Sequence, residues 1–136
     1  MPKRERKIDI KASAKSVFDI LSDGPNAPKW NITVDEYNAV TDEKAKVKTS
    51  VGDMTTTTTE TVENKRISMK IEGSFMTSMG YIIAPKGDGV EVTVWGEYDD
   101  EEHVELMEQA GEVLLESLKK YAEYLEAGGK PEEYQK

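Results

Sequence analysis

"MTTTTTETVENKRISMKIEG", Met54–Gly73, poses the choice on which the fold turns: five consecutive threonines are either a polar linker or a wall. Low-complexity Thr stalks carry Pro and Ser in quantity, whereas this run passes into Ile67, Met69 and Ile71 alternating with Ser68 and Lys70. Thr is β-branched and favours extended backbone, and each side chain carries a methyl and a hydroxyl. With Met54, Thr56, Thr58, Glu60 and Val62 on one face and Thr55, Thr57, Thr59 and Thr61 on the other, neither face of such a strand is strictly dry. The stretch therefore reads as two antiparallel strands meeting at the Glu63–Arg66 corner, with the Thr strand lining a wet cavity.

Working outward, the same reading gives a meander of six strands: 33–40, 45–51, 54–62, 66–73, 77–84 and 90–98. Gly, Asn, Asp or Pro stands at every corner, in "TDEK", "VGDM", "ENKR", Gly73-Ser74 and "PKGDG". Each link is too short for a crossover helix, so neighbouring strands run antiparallel. Upstream, Ile8 and Ile10 alternate with Lys7, Asp9 and Lys11 as a half-buried strand does. In "SAKSVFDILSDG" the period changes to that of a helix, with Ser13 as N-cap, Val17, Phe18, Ile20 and Leu21 at helical spacing, and Asp23-Gly24 as the stop. "PNAPKWN" follows as a short helix or turn with Trp30 as a core anchor.

"DDEEHVELMEQAGEVLLESLKKYAEYLEAGG" is the longest periodic segment. Met107, Ala110, Leu114, Leu118, Tyr121 and Leu125 share a face, joined by Val104, Gly111 and Ala122. Asp99–Glu102 are read as caps and dipole partners and Gly128-Gly129 as the end, giving about 26 residues and about 39 Å of helix. The remaining residues, 130–136, are read as a frayed tail.

The whole of 1–136 is read as one domain, since 136 residues suffice for one core. There is no Cys, which excludes disulfides and thiolate chemistry and fits a reducing, cytoplasmic setting. No metal site is expected, because His103 is the sole His. Nothing resembles a signal peptide or a membrane span. Acids and bases balance at 14 each over residues 1–96 but stand at 13 against 4 over 97–136, so the last segment carries the whole net charge of −9. With no basic face, nucleic acid is not an expected partner. The acidic helix face is either a solvated surface or a docking site for a basic protein.

Taken together, this element order and the stretches "SAKSVFDILSD", "PKWN", "YIIAPKGDGVEVTVWGEY" and "AGEVLLESLKKYAEYLEAG" resemble the START-like superfamily. That group is also called Bet v 1-like, SRPBCC or polyketide cyclase/dehydrase and lipid transport. The resemblance implies an α+β helix-grip fold: a seven-stranded curved antiparallel sheet, in the order 1-7-6-5-4-3-2, wrapped around the long C-terminal helix. Two short helices would lie between the first two strands. It also implies a cavity between sheet and helix that holds a small hydrophobic or amphipathic molecule, with no cofactor. Two other activities occur on this fold: an aromatase/cyclase or dehydratase acting on a polyketide-like substrate, and protein docking of the Hsp90-activator kind.

Parity assigns Ile67, Met69, Ile71, Thr77, Met79, Tyr81, Ile83, Val90, Val92, Val94, Gly96 and Tyr98 to the inner face, leaving Trp95 outside. A pocket of a few hundred Å3 is expected between Met69, Met79, Tyr81, Val92, Met107, Ala110 and Leu114, its mouth near Trp30 and the Gly73-Ser74 turn. Thr58 and Tyr98, with Thr56 and Arg6, would supply polar groups. Glu60 is the candidate general base if it points inward and is desolvated; an exposed position or an ion pair with Arg66 or Lys65 is the alternative. No Ser/His/Asp set is available, and Gly87 and Gly89 form a turn and not a phosphate cradle.

Overall fold

The computed structural model describes residues 3–99 and 101–136. Strand β1 (Lys3–Ile10) leads into α1 (Ala14–Ser22), a 3-10 turn (Gly24–Asn26) and the single-turn α2 (Ala27–Trp30). The meander follows as β2 (Val34–Ala39), β3 (Lys44–Thr49), β4 (Gly52–Val62), β5 (Arg66–Glu72), β6 (Met76–Lys86) and β7 (Gly89–Tyr98), and α3 spans Val104–Glu126. All seven strands form one antiparallel sheet in the order β1-β7-β6-β5-β4-β3-β2. This is the helix-grip arrangement.

Local chemistry sets the helix ends. The Ser13 hydroxyl accepts from the Ser16 N–H at 3.1 Å and so caps α1. At the end of α3, Gly128 adopts φ +95, the Gly128 N–H donates to Leu125 O and the Gly129 N–H to Tyr124 O, both at 3.0 Å. That is the Schellman arrangement, which needs a residue free to take the left-handed conformation. The other end of α3 departs from expectation. The helix starts only at Val104 and has 23 residues, about 35 Å. His103 is its N-cap residue, with no side-chain cap, and stacks on Phe75 at 3.5 Å between ring centroids. Asp100, one of the expected caps, lies outside the described residues.

The core sits under the second half of α3. Leu118 and Leu115 are fully buried with Val17 of α1, Ile10 of β1 and Val92 of β7. Each such side chain contributes about 1.5–3 kcal/mol by leaving water. Carboxylates of α3 lock this end. Glu123 accepts from the Lys11 N–H at 3.0 Å, and Glu126 accepts from the Ser16 hydroxyl at 2.9 Å. Residues 130–136, expected to fray, fold back instead. Tyr134 packs on Tyr121 and Tyr124 with centroids 4.7 and 4.9 Å apart, and Lys136 Nζ donates to Val34 O at 2.9 Å.

Two bulges correct the parity reading. Between Met76 and Ser78 the register slips, so Met76 lies opposite Tyr98 and is buried, while the Thr77 hydroxyl turns to Glu97 O at 3.3 Å. Between Thr58 and Glu60 it slips again, leaving Thr59 as the extra residue. Trp95 does face outward, as parity required. It lies over Gly80, where a Cβ would stand 2.6 Å from its ring, and Lys3 Nζ sits 4.9 Å from its centroid.

Candidate functional site

Seven strands about 4.8 Å apart make a sheet nearly 30 Å across, and one helix about 10 Å wide cannot cover it. Helix α3 packs on β1 and β7, with Gly111 so close that a Cβ would reach 3.5 Å from Val94 Cγ1. The concave face of β3 to β6 is therefore left largely uncovered by α3, and of these strands α1 packs mainly on β6. A hollow of about 570 Å3 remains there, walled by the sheet, α3 and the α1–α2 corner.

Its walls answer the question posed by the threonine run. Thr56 lies opposite Ile71 and Thr58 opposite Met69, on the inner face, and both line the hollow. Thr55 and Thr57 pair with Glu72 and Lys70 on the other face. Of the residues expected to bound the pocket, Trp30, Thr58, Met69, Met79, Tyr81, Tyr98, Met107, Ala110 and Leu114 do line it. Val92 does not. It faces inward opposite Ile8 and Ile83, but at the closed end, where the core buries it completely. The Gly73-Ser74 turn is not part of the lining either; the hollow extends toward Asp23-Gly24 and the Asp42-Glu43 corner.

Glu60 is also displaced from its expected role. The extra residue Thr59 puts Glu60 opposite Ser68, which in turn lies opposite Gly80, on the convex face that carries Trp95. Its carboxylate is half exposed and accepts from Arg66 Nε at 2.8 Å. Glu60 thus touches the hollow only at its rim, and the ion-pair alternative is the one the register produces.

Methionine makes up much of the apolar lining. Met54, Met69, Met76, Met79 and Met107 all line the hollow and belong to one apolar cluster with Ile71, Val104 and Tyr98. Met69 and Met79 are direct cross-strand partners. Polar groups share the lining: threonines of β4 on the wall, and charged side chains of β1, α3 and the corner turns at the edges. Burial pushes the Tyr81 phenol well above its ordinary range, which keeps it neutral and a donor at physiological pH. The Tyr98 phenol is raised by burial and then by Glu108, with Arg4 and Arg6 pulling partly the other way. The Trp30 indole N–H is buried and has no acceptor among the described residues.

Arg6 faces the hollow but is held by Glu108 and by Glu112, the latter at 2.7 Å. Glu108 escaped the reading of the sequence, because its partners lie about a hundred positions away in the chain. Two further lining residues, Met54 and Met76, were hidden by their place next to turns. Among the described residues no cluster of three metal-ligating side chains occurs, and no helix is long and apolar enough to cross a membrane.

A sequence profile described as polyketide cyclase/dehydrase and lipid transport matches residues 1–123. The chain belongs to this family. Among solved structures, this chain is similar to a START superfamily protein from Mycobacterium smegmatis, with 18% identity and a TM-score of 0.76 over 90% of this chain and 98% of that one. The Aha1 dimer from Colwellia psychrerythraea matches at 16% identity and TM-score 0.72, over 96% and 100%. The di-domain ARO/CYC BexL from the BE-7585A biosynthetic pathway matches at 20% identity and TM-score 0.74, over 92% of this chain and 47% of BexL. At these identities the likeness concerns the fold. No curated protein matches the chain.

Proposed function

We propose that this family member binds a small hydrophobic or amphipathic molecule in the hollow between the sheet and α3. The observation that carries the reading is the methionine lining of a space of about 570 Å3. That volume falls within the range of ligand sites, about 300–1,000 Å3. Thioether side chains are unbranched and polarizable, so they adapt to apolar ligands of different outline. Tyr81, Thr56 and Thr58 add a few fixed polar groups, which orient a ligand without making the space hydrophilic.

A proton-transfer enzyme of the cyclase or dehydratase type draws less support. Its best base, Glu60, is on the convex face with Arg66, and Tyr81 is a neutral donor. Docking of a basic protein on α3 is also weakened as a reading, because Glu108, Glu112, Glu123 and Glu126 already have partners on β1 or near α1.

The test is a screen of fatty acids, sterols, isoprenoids and flavonoid-like aromatics by native mass spectrometry, followed on the methionine methyl resonances. Binding should shift Met69, Met79 and Met107 together. Ligand-induced shifts restricted to the outer side of α3, or none from any compound, would overturn the reading.

A further inference from the structure

Along β1 the positions that face the hollow change character. Ile10 lies opposite Val90 and Ile8 opposite Val92, at the closed end, but Arg6 lies opposite Val94 and Arg4 opposite Gly96. Two guanidiniums thus replace apolar side chains where the core gives way to open space, and both line it. They converge on one carboxylate of α3. Arg4 Nε stands 3.3 Å from Glu108 Oε1, and Arg6 Nη2 donates to Glu108 Oε2. The Glu108 side chain is only 17% exposed, against 54% for its neighbour Glu112.

A third donor stands beside them. The Tyr98 ring folds back over Gly96, where a Cβ would come within 2.9 Å of the phenol oxygen. The absence of that Cβ places the hydroxyl next to the residue opposite Arg4. It makes no hydrogen bond among the described residues, and the charges of Glu108, Arg4 and Arg6 all act on it. Each guanidinium has a second, more exposed carboxylate, Arg4 with Glu101 at 3.6 Å and Arg6 with Glu112 at 2.7 Å, and Glu108 is the one they share. Two guanidiniums with a phenol close by are a donor set for a planar oxyanion, and guanidiniums bind such groups by paired, charge-assisted hydrogen bonds. Behind this cluster the methionines begin.

We propose that Arg4, Arg6 and Tyr98 form the head-group site for an amphiphile bearing a carboxylate, whose apolar body lies among the methionines. Glu108 is then the internal carboxylate that the incoming one replaces. This proposal rests on the ligand-binding reading of the hollow. In the exchange one carboxylate takes over the partners of another: Glu108 turns to water at the edge of α3, while the more exposed Glu101 and Glu112 keep the outer sides of Arg4 and Arg6. It also gives the hollow a direction: acid end at β1, apolar end among the methionines of β4, β5 and β6.

The experiment compares decanoate with decanol, which share a chain and differ in the head. Affinities are measured by calorimetry at neutral pH and physiological salt, below the concentration at which either aggregates. Decanoate should bind more tightly by about tenfold, the factor that one charge-assisted hydrogen bond supplies. Glu108→Gln should raise decanoate affinity several-fold and leave decanol unchanged. Arg4→Gln combined with Arg6→Gln should abolish the preference for decanoate over decanol. Equal or tighter binding of decanol by the unaltered protein would overturn the head-group site while leaving the ligand-binding reading intact, and needs no variant to fold. Unchanged decanoate affinity in Glu108→Gln would overturn the exchange. Failure of both compounds to bind would overturn the head-group proposal, and failure across the wider ligand screen the pocket reading too.

Discussion

Gly111 offers a direct measure of how closely α3 approaches the sheet. It occupies the interior of a 23-residue helix, where Gly is about 0.8–1.0 kcal/mol worse than Ala. A Cβ at this position would meet Val94 Cγ1 at 3.5 Å, an ordinary van der Waals distance, and nothing nearer. Gly111→Ala therefore gains helix propensity and a methyl contact with no steric cost. The expected stabilisation is about 1 kcal/mol, or a rise in Tm of about 3–5 °C for a chain of this size. Thermal and urea denaturation followed by far-UV circular dichroism would read it. A fall in Tm would refute the reasoning, because it would mean that α3 lies closer to β7 than this spacing allows. The same position tests the hollow. Gly111→Phe sends a ring into it, so the variant should fold, lose ligand-induced shifts at Met69 and Met79, and expose no new surface.

The contrasting glycine is Gly80, where a Cβ would fall 2.6 Å from Ile67 O and from the Trp95 ring; Gly80→Ala should cost about 1–3 kcal/mol and change Trp95 fluorescence, and an unchanged protein would contradict the close approach. Glu123 is held below its ordinary value near 4.5, first by the Lys11 N–H and then by Lys119. A depressed folded pKa gives stability that is present above the unfolded value and lost as pH falls through the folded one. Glu123→Gln should thus lower Tm at neutral pH, and the deficit should shrink as pH drops below about 4.5; a deficit independent of pH would show that the charge is not what matters. For Tyr81 the sign reverses: its raised phenol contributes stability that is intact below the unfolded value and lost as pH rises past it. In an alkaline spectrophotometric titration Tyr81→Phe should remove the last phenol to ionise, and loss of an early one would mean that Tyr81 is not buried.

The order of elements was legible in the chain because period alone carries it. Alternation in 66–73 and 90–98, the three-and-four spacing of 104–125 and a turn residue at every corner leave few other arrangements, and short links make neighbours antiparallel. Inner-face residues with an apolar/polar contrast, such as Ile67, Tyr81 and Val94, were readable for the same reason. The Thr59 bulge was not. A one-residue slip moves every later side chain to the other face, and a sequence shows it only where the two faces differ in character. Thr55–Thr59 present the same side chain to both faces, so the slip leaves no trace until Glu60, which it carries from the cavity side to the convex side. Met76 and Thr77 exchange faces by the same mechanism.

Distance along the chain hid the rest. Arg6 and Glu108 are 102 positions apart, and only the closure of β1 against β7 under α3 brings them together. Periodicity identified the apolar stripe of α3, but which part fills the core and which faces open space depends on where the helix lies across the sheet. Leu118 and Tyr121 meet α1 and Trp30 and are buried, whereas Ala110 and Leu114, on the same stripe, border the hollow. Helical and strand periods are properties of neighbours in sequence, and the chain alone determined them. Register, the reach of one helix over seven strands and the meeting of distant charges are properties of packing, and only the tertiary structure decided those.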